Sequence, residues 1–221
     1  MTDIYSVIRA PAAGFSRWDD PQWAEVEPVP VALFHAQSSD HRPVVEARLA
    51  YSPDRLWLRF LVHDRYVVSR ELRTNGPVHL DSCVEFFVAP LSGRDYFNVE
   101  VNAGGTLHCS HMWDPTVVDG RFVGCADLEP EETAQFRIQT TLPRRIEHEI
   151  TDAVTWGMQA EIPLAVFAGR LKQAITPSGT WRANFYKCGD QCSHPHWASW
   201  APIGERVFFH QPERFGTLRF V

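Results

Sequence analysis

The sequence lacks several features that would indicate particular classes of protein. It has no cluster of Lys or Arg, and its formal net charge is −6. A nucleic-acid groove or a surface for anionic membranes is therefore not expected. No apolar run approaches the roughly 18–20 residues that would span a bilayer. No glycine-rich phosphate loop follows a strand and opens a helix, which argues against a nucleotide-binding α/β fold.

Cysteine is also scarce. The chain has five cysteines, an odd number that does not suggest a disulfide framework in 221 residues. The N-terminal segment has neither the basic start nor the unbroken apolar stretch of a secretion signal. These features predict a reducing, cytoplasmic setting. A secreted protein whose signal has been removed is the alternative.

Short alternating segments of β-branched and aromatic residues are abundant, and Pro, Gly, Asn or Asp bound them. The predicted strands are 44–51, 55–64, 83–90, 96–103, 105–110, 136–142, 154–162, 180–188, 196–200 and 216–221. Only 163–173 has helical spacing, with Pro163 at its start. The pattern predicts one domain over residues 1–221, an all-β antiparallel β-sandwich of two sheets, jelly-roll-like or immunoglobulin-like, with one short helix. The Pro-rich residues 1–40 are predicted to be irregular and to wrap the sandwich edge.

Three predicted strands carry hydrogen-bonding side chains on the face opposite their apolar one. In DYFNVEVNAGG, residues 95–105, the alternation of side chains separates an apolar set from two amides and a carboxylate. Strands 83–90 and 180–188 follow the same pattern. If the three strands pair, the polar set on one surface is Glu85, Asn98, Glu100, Asn102, Arg182, Asn184 and Tyr186. Such groups suit the vicinal hydroxyls of a sugar, and the alternative is a sheet face that is merely solvated.

Ordered blocks between Trp23 and Val221 resemble the family 9 carbohydrate-binding modules and their family 9-like relatives. The blocks are YSPDRLWLRFLVHD, DSCVEFFVAP, YFNVEVNAGGT, Trp156 with Glu161-Ile-Pro, GTWRANFYKCGD, HPHWASWAPI and FHQPERFGTLRF. The resemblance implies a sandwich of two antiparallel sheets, with a sugar site on one face and bound calcium as a structural ion. It further implies non-catalytic binding of one or two sugar units, as a mono- or disaccharide or a glycan end, with a link to carbohydrate catabolism.

The resemblance also implies roles for individual residues. In sugar-binding members two tryptophans clamp a terminal sugar, and the corresponding residues here are His79 and Phe209. Both can stack on a sugar, with less area than an indole. The implied hydrogen-bonding residues and their neighbours on the same face are Glu85, Asn98, Asn184, Glu100, Asn102 and Tyr186.

Three other functions remain open at this point. Glu85 and Glu100 on neighbouring strands could act as the carboxylate pair of a glycoside hydrolase or lyase, because glycosidases use two such groups. The polar face could instead contact a partner protein. Met112, next to His111, makes a haem-binding sandwich the third alternative.

Two groups of residues raise the question of a metal. The first group is Cys188, Cys192, His194 and His196. Its C-x3-C-x-H-x-H spacing does not match a structural zinc pattern, and a core cysteine with loop histidines is the favoured interpretation. The second group is Asp64, Asp81, Asp114 and Asp119. These acids lack the ordered spacing of a calcium loop and are expected to form turns, so no metal ligand is predicted.

Overall fold

The structure, a computed structural model, describes residues 3–221 and is mostly β. Residues 1 and 2, which belong to the predicted domain and its N-terminal segment, lie outside the described residues. The strands are β1 (Ile4–Arg9), β2 (Val29–Pro30), β3 (Leu33–Phe34), β4 (Val44–Tyr51), β5 (Arg55–Asp64), β6 (Val67–Ser69), β7 (Cys83–Ala89), β8 (Tyr96–Asn102), β9 (Leu107–Val118), β10 (Arg121–Asp127), β11 (Arg137–Thr140), β12 (Ile146–Ile150), β13 (Val154–Pro163), β14 (Thr180–Cys188), β15 (Trp197–Ser199) and β16 (Gly216–Phe220).

Helices are few and short. The α-helices are α1 (Pro130–Thr133) and α2 (Leu164–Leu171), and 3-10 helices cover Pro21–Glu25, Val78–Leu80 and Pro212–Arg214. The predicted helix is present as α2, which follows Pro163 and ends at Lys172 in a left-handed conformation, φ +52°. The prediction of one helix was wrong because α1, a single turn closed by a capping box, has no apolar periodicity to reveal it. Within residues 3–221 no helix has the length and apolarity needed to cross a membrane.

Fourteen strands form one curled, mixed sheet. Its main path runs in the order β10-β9-β8-β7-β14-β16-β1-β4-β5-β13-β11. β15 pairs with β14 and β3, β2 pairs with β4, and β12 and β6 form a separate two-stranded sheet. All ten strands predicted from the sequence are present, with shifts at their ends.

Strand β1 corrects two predictions. It pairs in parallel with both β16 and β4, so the sheet is not wholly antiparallel. The segment 1–40 is not irregular throughout either, because β1, β2 and β3 lie within it. Tyr5 and Val7 of β1 are buried, at 5% and 0% exposed, so the strand joins the two halves of the sheet through the core.

The apolar faces of the strands meet in one core. Phe86 of β7 stacks on Phe185 of β14 with ring centroids 5.0 Å apart, and Phe185 contacts Phe60 of β5 edge-on at 6.2 Å. Each fully buried ring of this kind stabilises the fold by roughly 1.5–3 kcal/mol. This core uses one face of β7, β8 and β14. Their opposite face carries the polar side chains together with a second apolar cluster that includes Phe87, Tyr96 and Tyr186.

The hairpin turn between β8 and β9 is built by Asn102 and Gly105. The Gly105 N–H donates to the Asn102 carbonyl at 2.9 Å, and the Thr106 N–H donates to Asn102 Oδ1 at 2.8 Å. Gly105 has φ +89°, where a side chain would be strained. This turn sets the register that aligns β8 with β9.

Candidate functional site

The polar residues of β7, β8 and β14 lie on a common face of the sheet. Glu85 of β7 is directly opposite Glu100 of β8 on one side and Tyr186 of β14 on the other. Directly opposite residues of an antiparallel pair share a face, and so do residues two apart along a strand. Asn98 and Asn184 therefore lie on the same face as the two glutamates.

A recess, called here the main recess, lies over the paired glutamates and has a volume of about 270 Å³. It is lined by His79, Glu85, Glu100, Phe122, Cys188, Asp190, Trp197, Val207, Phe208, Phe209 and His210. A second recess of about 310 Å³, the side recess, adjoins it and shares the lining residues His79, Glu100, Phe122 and His210. The side recess extends along β8 and β9 to Asn98 and His108.

One wall of the main recess comes from the segment after β14. The Asp190 N–H donates to the His79 carbonyl at 3.2 Å, and the Gln191 N–H donates to the Leu80 carbonyl at 3.0 Å. These bonds hold the segment against the 3-10 helix Val78–Leu80. Trp197 Nε1 then donates to Asp190 Oδ1 at 2.7 Å. An indole, an imidazole and a carboxyl group are thereby brought to one wall.

The opposite wall is the aromatic segment 207–210. The Phe209 ring stacks on Tyr186, with centroids 4.1 Å apart and an interplanar angle of 9°. The Tyr186 hydroxyl donates to the Phe209 carbonyl at 3.1 Å, and Tyr96 Oη and His210 Nδ1 are hydrogen-bonded at 2.8 Å. Burial lowers the pKa of His210 to about 3, so its ring is neutral near pH 7. Tyr186 and Tyr96, which lie in the sheet beneath this wall, thus hold Phe209 and His210 in place.

The floor of the main recess is acidic. Glu85 and Glu100 are only 2% and 5% exposed. Burial and the neighbouring Glu100 charge raise the pKa of Glu85 well above its ordinary value. Cys188 Sγ donates to Glu85 Oε1 at 3.1 Å. A protonated Glu85 both donates and accepts hydrogen bonds, as a sugar hydroxyl does.

The other two acid groups of the site each accept one neutral donor. Asn98 Nδ2 donates to Glu100 Oε1 at 2.7 Å, and Trp197 occupies one oxygen of Asp190. Burial raises the pKa of Asp190, although the Trp197 hydrogen bond opposes the shift. In each group the second carboxyl oxygen accepts no hydrogen bond from residues 3–221.

Four residues predicted for the site line the main recess, namely His79, Glu85, Glu100 and Phe209, and Asn98 lines the side recess. Tyr186 lies under Phe209 rather than at the recess surface.

Asn102 and Asn184 share the polar face but line neither recess. Asn184 Nδ2 donates to the Ala201 carbonyl at 2.9 Å, and Asn184 Oδ1 accepts from the Ala201 N–H at 2.9 Å. Asn102 is committed to its turn and donates to Asp81 Oδ2 at 2.9 Å. Loop backbone covers the sheet face at both positions. The two amides therefore form hydrogen bonds to these loops instead of facing a recess.

Several recess residues were not predicted from the sequence. They are Phe122, Asp190, Trp197, Phe208 and His210. Two signals were available: the consecutive aromatics Phe208, Phe209 and His210 in a loop, and an Asp and a Trp after the polar-faced strand β14. Neither signal shows by itself that the loops fold over that face.

The cysteines and histidines considered for zinc lie at different places in the structure. Cys188 lies beside Glu85 in the main recess, whereas Cys192 Sγ contacts Ser82 Oγ at 3.4 Å. His196 lies elsewhere, with its Nε2 2.7 Å from Lys187 Nζ. The five cysteines are all free thiols.

Lys187 forms a buried ionic cluster on the face of β14 opposite the recess. Its side chain is 0% exposed, and its Nζ lies 3.5 Å from Asp64 Oδ2. His41 Nε2 lies 2.7 Å from Asp64 Oδ1, and Trp156 Nε1 donates to Asp64 Oδ2 at 3.2 Å. Burial alone would raise the pKa of Asp64, but Lys187 and His41 outweigh it and the pKa is lowered. Lys187 is therefore the cationic partner of Asp64 in this cluster.

The acidic residues considered for calcium do not fit that ion as arranged. Asp64 has the Lys187 ammonium next to it, and Asp81 Oδ2 accepts from the N–H groups of Arg70 and Glu71, each at 2.9 Å. Asp119, at φ +50°, forms the β9–β10 turn, as its role as a turn former predicts.

Nor do the residues considered for haem converge. Adjacent residues of a strand face opposite sides. His111 stacks on Phe97 and pairs with Asp95 at 2.9 Å, whereas Met112 lines the side recess. The two side chains therefore do not share one pocket.

The β-rich fold and its acid-floored, aromatic-walled recess agree with the architecture of a carbohydrate-binding module. The model of carbohydrate-binding family 9 matches residues 22–220. The chain therefore belongs to carbohydrate-binding family 9, and its function is non-catalytic carbohydrate binding. No match is found among curated proteins.

Solved structures are similar over the whole chain. A proposed carbohydrate-binding protein of Bacteroides uniformis is 28% identical, with a TM-score of 0.83 and coverage of 100% of both chains. A family 9 carbohydrate-binding module of Caldicellulosiruptor kristjanssonii in complex with cellotriose is 14% identical, with a TM-score of 0.62 over 99% of this chain and 93% of that one. The same organism's module in complex with glucose is 13% identical, with a TM-score of 0.63 over 99% and 96%. The last two show the shared fold.

Proposed function

We propose that the main recess binds one or two sugar units, free or at the end of a glycan, and does not cleave them. The observation that carries this proposal is the convergence of carboxyl groups and stacking rings on one recess. Glu85, Glu100 and Asp190 offer hydrogen bonds to hydroxyls, and Trp197 and Phe209 offer aromatic surface to the C–H face of a sugar ring. The glucose and cellotriose in the Caldicellulosiruptor complexes support glucose-based sugars as the first ligands to test.

The size of the site supports a short ligand. The main and side recesses measure about 270 and 310 Å³ and overlap in four lining residues. Volumes near the lower end of the range for small-molecule pockets suit one or two sugar rings. A long polysaccharide would require an open groove along the sheet, whereas segment 207–210 closes the recess on one side.

The arrangement of the two glutamates favours binding over hydrolysis. Glycosidases place their two carboxyl groups on either side of the scissile bond. Glu85 and Glu100 are direct cross-strand neighbours and share one floor. A ligand would rest on both rather than lie between them.

The fold that carries the site is proposed to be a two-layer sandwich formed by the curled sheet. The Phe60–Phe185 contact joins the two halves of the sheet across the core and supports two layers. The proposed setting is the cytoplasm. Five free thiols support a reducing compartment.

Isothermal titration with glucose, cellobiose and cellotriose tests the proposal. We expect glucose and cellobiose to bind and cellotriose to bind no more tightly than cellobiose, with no release of glucose from cellotriose. Trp197→Ala and Phe209→Ala should each weaken binding by about tenfold. Trp113→Ala is the matched control, because Trp113 is 44% exposed and lines neither recess.

Three results would contradict the proposal. Heat absent for every sugar, together with a single co-purifying protein, would support the protein-interaction alternative. Cleavage of cellotriose that disappears in Glu100→Gln would support the hydrolase. Equal losses of affinity in Trp197→Ala and Trp113→Ala would place the site elsewhere.

A further inference from the structure

The recess walls carry several carboxyl groups, and their basic side chains are histidines. Glu85, Glu100 and Asp190 line the main recess, and the side recess adds Asp127. Neither lining contains a Lys or Arg side chain. The guanidinium of Arg206 stacks on the Phe208 ring, 4.9 Å from its centroid, but Arg206 is not part of either lining.

The three acids of the main recess have no ion-pair partner in the described part of the chain. Among residues 3–221, none of them forms a salt bridge. Their donors are neutral: the Cys188 thiol for Glu85, an amide for Glu100 and an indole for Asp190. Buried carboxyl groups are ordinarily paired with a cation or kept protonated. Glu85 and Glu100 are both more than nine-tenths buried, so a cationic group on a ligand would find unpaired acids there.

The aromatic walls add to this preference. Trp197, Phe208, Phe209 and Phe122 surround the acid floor. Aromatic faces attract ammonium groups within about 6 Å of the ring centroid. Acids and aromatic faces together therefore suit a cation that is attached to an otherwise neutral sugar.

We infer that the main recess selects sugars with a free amino group over neutral and acidic sugars of the same size. The inference rests on the proposed function. The ammonium of an amino sugar would lie among Glu85, Glu100 and Asp190, while its hydroxyls and C–H face would make the contacts described above. A uronic acid would bring a further carboxylate to this acidic floor, and like charges repel.

A titration series at about pH 6, where a sugar amine is protonated, tests this inference. The ligands are glucosamine, glucose, N-acetylglucosamine and glucuronate. We expect glucosamine to bind about tenfold more tightly than glucose, since hydrogen bonds to charged groups are the stronger ones. N-acetylglucosamine should lose this advantage because its nitrogen is uncharged, and glucuronate should bind more weakly than glucose.

Variants separate the charge effect from shape. Glu100→Gln and Asp190→Asn keep the shape of the wall and should each reduce the preference for glucosamine over glucose several-fold. Glu131→Gln is the matched control, because Glu131 is exposed on α1 and should leave the preference unchanged. If glucose binds and glucosamine binds equally or less tightly, the inference is overturned and the proposed function stands. If none of the four sugars binds, the proposed function fails and the inference fails with it.

Discussion

The Phe209 ring lies parallel to the Tyr186 ring at 4.1 Å, and the Tyr186 hydroxyl donates to the Phe209 carbonyl. Tyr186 is 1% exposed and lies on β14, within the sheet. One residue of a rigid strand therefore sets both the ring plane and the backbone position of a residue in a loop. This contact places an aromatic surface at the recess without a helix or strand on that side.

Removing the hydroxyl of Tyr186 should weaken both the fold and the site. Tyr186→Phe keeps the stacked ring but leaves the Phe209 carbonyl without its donor. We expect the free energy of unfolding to fall by about 1 kcal/mol. Glucose affinity should fall a few-fold. A change of about 1.4 kcal/mol in binding free energy corresponds to tenfold in affinity, and only part of the lost hydrogen-bond energy affects the position of Phe209 against the ligand. Urea unfolding and isothermal titration measure the two effects.

Tyr51→Phe is the matched control for that experiment. The Tyr51 hydroxyl also donates to a backbone carbonyl, that of Val221, at 3.0 Å, but Tyr51 lies outside both recesses. It should lose comparable stability and keep its full affinity for glucose. Affinity losses of the same size in the two variants would show that Tyr186 does not position Phe209 for the ligand.

The buried pair of Lys187 and Asp64 should be costly to break. In Lys187→Met the Asp64 carboxylate would lose its cation in a site with no exposure, and we expect about 3–5 kcal/mol of stability to be lost. Asp64→Asn added to Lys187→Met should restore part of it. Arg145→Met, which breaks the exposed 2.7 Å pair with Glu147, should change stability by no more than about 1 kcal/mol. Urea unfolding with similar losses in the two single variants would contradict this.

His196 should make stability depend on pH. Burial, followed by the Lys187 charge, lowers its pKa to about 3, whereas an unfolded histidine titrates near 6.5. Between these values the unfolded chain binds a proton that the folded one does not. The free energy of unfolding should therefore fall as the pH drops from about 6.5 towards 3, by at most about 1.4 kcal/mol per pH unit.

Comparison with His196→Gln isolates this effect from other acids and bases. Urea unfolding of both proteins between about pH 7 and about pH 4 should show the wild type losing stability relative to the variant. Asp64 is present in both proteins, so its own titration largely cancels in the difference. Parallel curves would show that His196 titrates alike in the folded and unfolded states.

The strands of this protein were predictable because their signal is local. Alternation in residues 83–89 and 96–102 is complete enough to assign both faces, and the register confirms those assignments. Strand β1 was missed although Tyr5 and Val7 alternate correctly. Its parallel pairing with β16 depends on residues more than 200 positions away, which no local pattern contains.

The site was predictable only where it depends on strand faces. Alternation places Glu85 and Glu100 on the polar side, but it does not show which parts of that side a loop will cover. Asn184 became a loop anchor because the backbone at Ala201 lies over it. Asp190 became a wall residue through the backbone hydrogen bonds of residues 190 and 191 to the Val78–Leu80 turn, and Trp197 through its side-chain hydrogen bond to Asp190. Such tertiary contacts leave no periodic trace in the sequence.

The two walls of the recess differ in how many structural roles their residues have, and they should therefore tolerate substitution to different degrees. Residues 188–197 supply Asp190 and Trp197 to the ligand, but the same segment holds His196 in the Lys187 cluster. Segment 207–210 takes no part in that cluster, and it is held by hydrogen bonds to Tyr96 and Tyr186, which lie beneath it in the sheet. A combinatorial library aimed at new sugar specificity should therefore yield most of its folded, functional members from randomised positions 207–209.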